Sequence, residues 1–177
     1  MKITADGFEF DFTDAIDVFV FDEKDKTKPG YHDAQMMKAV DLIVELQECY
    51  LFVEMKDIFD TDRYIQSQER DPCPRENRQC PHELSPFKRL KELSKYKFHD
   101  TYPFRHAEQK VDKPIRYICL LTFENAFNLH MQKTLQQELP VGRVSRRWQS
   151  GLAESCVVVH VAAWNRLFPK WPVRLLA

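Results

Sequence analysis

Asp41, Glu54 and Lys56 are the residues of this chain whose types and spacing suit chemistry on a phosphodiester. A phosphodiester resists attack because its negative charge repels nucleophiles. Two carboxylates such as Asp41 and Glu54 can hold Mg²⁺ or Mn²⁺, because a hard cation takes oxygen ligands and keeps several waters. The metal acts as a Lewis acid and lowers the pKa of a bound water. A neighbouring lysine can orient that water or stabilise charge that builds up in the transition state. Asp41 and Glu54 are therefore the candidate metal ligands. With Lys56 they are the candidate catalytic residues.

This chemistry requires two strands to bring the three side chains together. Val40 to Leu46 and Tyr50 to Asp57 both read as strands, with only Gln47, Glu48 and Cys49 between them. Side chains alternate faces along a strand. Asp41, Ile43 and Glu45 share one face of the first strand, and Glu54 and Lys56 share one face of the second. Both strands carry apolar residues on both faces, as central strands covered on two sides do. An acid beside a lysine is costly in such a core unless it binds something. Glu45 lies two residue pairs from Asp41. Asp17, Asp22 and Glu23 are candidates for a further acid.

The pattern of Asp41 followed by Glu54-Met55-Lys56 on consecutive strands resembles the PD-(D/E)XK nuclease superfamily. The proline that often precedes the aspartate is absent, since Ala39-Val40 stand there. The resemblance implies a restriction-endonuclease-like core, Mg²⁺ or Mn²⁺ as cofactor, and hydrolysis of nucleic-acid phosphodiesters. The chain also resembles a group of small bacterial proteins with a K-A-V-D…E-x-K-D centre and a W-N-x-x-F-P end, here Lys38 to Asp57 and Trp164 to Pro169. That narrower resemblance implies no function.

The remaining elements are read from periodicity. Residues 8–12 alternate as a strand. Residues 13–23 fit a helix through Ala15, Ile16, Phe19 and Val20, and equally a strand through Ile16, Val18, Val20 and Asp22; the helix is the expectation. Residues 33–39 suggest a helical turn. An irregular polar insert covers about 60–83. Residues 84–108 read as a helix whose stripe is Leu84, Phe87, Leu90, Leu93 and Tyr96, with Pro103 as the point where it could break. A strand follows at 115–123, a helix at 124–139, a strand at 156–162 and an aromatic tail at 164–172. Hairpin, helix, strand, helix, strand implies one α/β domain over 1–177, with a mixed central sheet flanked by helices. It is also the layout the resemblance implies.

The 26 basic and 27 acidic residues give a formal net charge of −1, so nucleic-acid binding would need a local basic patch. Lys88, Arg89, Lys91, Lys95, Lys97 and Arg105 supply the candidate patch, with Lys88, Lys91 and Lys95 as expected phosphate contacts. Cys73, Cys80 and His82 could begin a zinc site with Cys49, His99 or His106, but their spacing is not that of a standard module. Free thiols in an ordinary loop are the expectation. His160 reads as a hydrogen-bonded histidine inside an apolar strand. Trp164, Phe168, Trp171 and Tyr102 could stack on bases, with core packing or a partner interface the simpler readings. Five irregularly spaced cysteines and no signal-peptide pattern imply a cytoplasmic protein without membrane contact. The alternative to a nuclease is an inactive scaffold, a regulatory protein of a bacterial defence or toxin-related operon. Either reading admits a protein partner or a homodimer.

Overall fold

The computed structural model describes residues 1–28, 31–32, 37–56, 86–123, 125–142 and 144–176. The whole of the polar insert, about 60–83, lies outside them, and with it Cys73, Cys80 and His82.

The centre is a five-stranded mixed sheet. Its strands run β3 (Asp17–Val20), β4 (Leu42–Glu45), β5 (Tyr50–Lys56), β6 (Ile115–Leu121) and β7 (Ser155–Val159), in that spatial order. The first two pairings are antiparallel and the last two parallel. Short connections suffice for the antiparallel pairs. The parallel pairs need crossovers, and α1 (Pro86–Ala107) and α2 (Asn125–Glu138) supply them.

Residues 17–20 form a strand, which corrects the helix expected over 13–23. The backbone of β3 pairs with the buried β4, and this register engages Val18 and Val20 in the core beneath the sheet. Both periodicities were present locally, and sheet pairing decided between them. Met37 to Val40 are likewise not helical, while 33–36 lie outside the described residues.

The two helices cover only one face of the sheet. There α1 and α2 pack over Ile43, Phe52, Tyr117, Cys119 and Cys156. The other face is covered by a second sheet of β1 (Lys2–Ala5), β2 (Phe8–Asp11) and β8 (Val173–Leu175), with α3 (Val161–Leu167) beside it. Asp6 and Gly7, both with positive φ, form the two-residue turn between β1 and β2. An Asp-Gly pair suits this turn because both central residues must adopt φ > 0. Phe8, Phe10 and Phe12 point inward together, and the fully buried Trp164 meets Phe10 edge-on at 5.4 Å. The Trp164 indole donates to the Trp171 carbonyl at 2.6 Å. The aromatic tail is thus core, and it returns as β8 to close the small sheet.

Three local details differ from expectation. The chain leaves β7 at Val159, and His160 caps α3, its Nδ1 accepting from the Ala163 amide at 3.3 Å. The α1 helix continues through Pro103, although an interior proline costs about 3 kcal/mol. Packing on both sides of it, by Phe98 and by Phe104, offsets that loss. The buried stripe of α1 is Leu90, Ser94, Lys97, Phe98, Thr101 and Arg105, and Tyr96 points to solvent. Four of those six residues are polar, which is why apolar spacing misplaced it. On the open edge of the sheet, Gln136 donates to the Cys156 carbonyl and Gln132 accepts from the Val158 amide. These side chains occupy backbone groups through which an edge strand would otherwise pair. No helix among the described residues is long and apolar enough to cross a membrane.

Candidate active site

The pairing of β4 with β5 places Leu42 opposite Val53, so the residue before β4, Asp41, falls opposite Glu54. Both side chains point to the α1 side of the sheet, and Lys56 follows Glu54 on that face. Two contacts fix Asp41 itself. Its Oδ2 accepts from the Met55 amide at 2.6 Å, and its carbonyl accepts from Phe21 at 3.0 Å. The segment leading to it is tied to α1. The Lys38 amide donates to Asp100 at 2.8 Å, and the Val40 amide donates to the Thr101 hydroxyl at 3.0 Å.

One turn before Thr101, Lys97 reaches between the two acids. Its Nζ lies 2.5 Å from Asp41 Oδ1 and 2.8 Å from Glu54 Oε2. Lys56 Nζ lies 3.3 Å from Glu54 Oε1 and 3.9 Å from Asp41 Oδ2. Two carboxylates and two ammonium groups therefore share one site. Glu54 has no exposed surface, Asp41 and Lys97 are buried, and the Lys56 side chain is 26% exposed. Lys56 is the group nearest to solvent.

Burial, then the Asp41 charge, pushes the Glu54 carboxyl up to about 8, although Lys97 and Lys56 pull it down. Burial alone would lower Lys97. The charges of Glu54 and Asp41 outweigh it and hold that ammonium well above its ordinary value. Lys56 is raised for the same reasons. Both Glu54 oxygens are buried without a hydrogen-bond partner. Lys97 is close enough to one of them for a hydrogen bond but is misaligned, so the contact is an ion pair.

Asp6 belongs to the same neighbourhood. Surface remains on its side chain, yet crowding by the surrounding protein, followed by the Asp41 charge, raises its carboxyl, while Lys56 and Lys97 lower it. Asp22 also acts on it. The sequence reading missed Asp6, although Asp-Gly between two extended runs was a hairpin signal. It read Lys97 only as part of a basic helix face.

Three further residues of that basic face are committed elsewhere. Lys91 and Lys95 pair with Glu92 and with Glu138 of α2. Lys95 precedes Lys97 by two positions, roughly 200° around the helix, so it points away from Glu54. Arg105 is buried, pairs with Glu108 and lies over the rings of Phe19 and Tyr50. Lys88 is exposed. Glu45 pairs with Lys110 and Lys113.

The donor set suits a magnesium-like ion in part. Mg²⁺ commonly takes one or two carboxylates and fills its shell with water, and the Glu54 oxygens accept no hydrogen bond that it would have to replace. No group of three or more His, Cys, Asp or Glu side chains among the described residues is arranged to hold a metal. The position between the two carboxylates is filled by the Lys97 ammonium. Comparison of the chain with protein-family models, curated proteins and solved structures finds no match.

Proposed function

We propose that the protein is a metal-dependent nuclease of the PD-(D/E)XK type, with Asp41, Glu54 and Lys56 at its centre. The observation that carries this reading is the convergence of Asp41 and Glu54 from adjacent strands on one buried face, with Lys56 at the solvent side. The order of hairpin, helix, strand, helix, strand, with antiparallel pairings giving way to parallel ones, supports it.

Asp41 and Glu54 would hold the cation, Mg²⁺ or Mn²⁺. Such an ion supplies Lewis acidity toward the phosphate and an acidified water. The Met55 amide fixes the orientation of Asp41. Lys56, the most exposed of the four charged groups, is placed to meet a phosphate oxygen and stabilise charge in the transition state. Asp6, at the hairpin turn, is a further acid within electrostatic reach of this group.

Cleavage of DNA and RNA by the full chain with Mn²⁺ tests the reading. The parent protein should cleave at least one substrate. Glu54→Gln and Lys56→Ala should each nearly abolish that activity in a folded protein. The second reading is a scaffold that has kept the fold, and the lysines favour it because Lys97 and Lys56 together match the charge of both acids without metal. Absence of cleavage across substrates, together with no rise in melting temperature on adding divalent metal, selects the scaffold.

A further inference from the structure

We infer that Lys97 is a built-in counter-cation occupying the divalent-cation position, and that a metal ion binds only by displacing its ammonium. The inference rests on the metal-binding reading of Asp41 and Glu54 but not on any cleavage activity.

The geometry excludes simultaneous occupancy of the space between Asp41 Oδ1 and Glu54 Oε2. Lys97 Nζ contacts one oxygen of each acid, at 2.5 and 2.8 Å. Mg²⁺ bridging the same two carboxylates needs oxygens at about 2.0–2.1 Å, in the space the nitrogen fills. Charge leads to the same conclusion. With Glu54 deprotonated, as a metal ligand must be, Asp41, Glu54, Lys56 and Lys97 together are neutral. Adding a dication to that set leaves two uncompensated positive charges in a buried site. With Lys97 withdrawn, one positive charge remains, which a single phosphodiester anion balances. Displacement therefore makes the loaded site complementary to its substrate class.

The withdrawal has a route. An ammonium on a flexible four-carbon stem can swing as a unit, unlike a planar guanidinium. The misaligned contact with Glu54, whose oxygens have no hydrogen-bond donor, is the weaker of the two holds. The bond to Asp41 Oδ1 is the stronger.

The test is Mn²⁺ binding to the full chain, by calorimetric titration and by melting shift, for the parent and for Lys97→Met. Methionine keeps much of the apolar stem and removes the charge. The variant should bind Mn²⁺ at least about tenfold more tightly, the change produced by about 1.4 kcal/mol of relieved competition. Adding Glu54→Gln should abolish that gain. If Lys97→Met is unfolded in chelator, Mn²⁺ should restore its fold by replacing the lost positive charge. In the parent, the ¹⁵N signal of the Lys97 ammonium should shift toward that of a solvated lysine as diamagnetic Mg²⁺ saturates the site. A folded Lys97→Met with unchanged Mn²⁺ affinity overturns the inference. So does a gain that survives Glu54→Gln, an unfolded variant that Mn²⁺ does not rescue, or an ammonium signal unmoved at saturation. Tighter Mn²⁺ binding without cleavage would sink the nuclease and leave this inference standing. Cleavage with unchanged affinity would do the reverse.

Discussion

Replacing Glu54 with glutamine should change how stability depends on pH. The carboxyl has no contact with solvent, and burial with the Asp41 charge raises it from 4.5 to about 8. The charged or titratable groups around it are Asp41 ahead of β4, Lys56 on β5, Lys97 on α1, and Tyr117 and Cys119 on β6. The last two are pushed well above their ordinary values, and both lysines are raised, so none of these four changes charge near neutrality. Between about pH 4.5 and 8 the native state holds a proton that the unfolded chain has released. The Glu54 contribution is therefore fully present below the unfolded value and is lost as pH rises through the folded one. Its slope is at most about 1.4 kcal/mol per pH unit, and the whole window is on the order of 5 kcal/mol. Glutamine has no such proton. Glu54→Gln should therefore gain on the parent as pH rises, whatever constant offset the substitution introduces. Asp6, also raised, titrates in both proteins and largely cancels. Urea unfolding in chelator, at steps between about pH 5 and 8, measures the difference through the midpoints at constant m. Parallel curves would refute the reasoning. So would a parent that gains on the variant with pH, since the two ammonium groups would then outweigh burial and Glu54 would be an ordinary ion-paired carboxylate.

Glu138→Ala removes the α2 partner of Lys91 and Lys95 and should cost about 1 kcal/mol or less in thermal unfolding. It should leave Mn²⁺ affinity unchanged, because these lysines pair with Glu92 and Glu138 and not with Asp41 or Glu54. Trp164→Ala empties the aromatic cluster with Phe10, Phe12 and Phe168 and should cost about 3–5 kcal/mol in urea unfolding. Replacing both Gln132 and Gln136 with alanine frees the Val158 amide and the Cys156 carbonyl. Size-exclusion chromatography should then show concentration-dependent self-association through β7.

The central strands were legible because their sequence is unambiguous at short range. Val40 to Leu46 and Tyr50 to Lys56 are apolar on both faces, and only a short turn separates them, so antiparallel pairing and the meeting of Asp41 with Glu54 followed from alternation. The strand Ile115–Leu121 and the helix Asn125–Glu138 were readable on the same grounds. Residues 13–23 were not, because four-residue segments carry both periodicities and only the β4 edge selects one. The β1–β2 hairpin had its local Asp-Gly signal, but its closure into a second sheet did not, because β8 pairs with β2 across nearly the whole chain.

Lys97 was the least legible residue of the site, for a physical reason. A lysine on a helix with several other lysines reads as solvated surface, since burying an ammonium is unfavourable without a counter-charge. Its counter-charges lie 56 positions earlier on Asp41 and 43 earlier on Glu54, and they reach it only after the crossover folds α1 over β5. One local trace did exist. Lys97 follows Leu90 and Leu93 at helical spacing and immediately precedes the buried Phe98, so it falls on the apolar stripe rather than opposite it. A charged residue at a stripe position must meet an opposite charge or distort the packing. In this chain the buried acids on the facing strands were already identifiable. Asp41 and Glu54 therefore called for a cation from the covering helix, and the polar stripe of α1, through Ser94, Lys97, Thr101 and Arg105, is the helix's answer to a sheet face that carries charge.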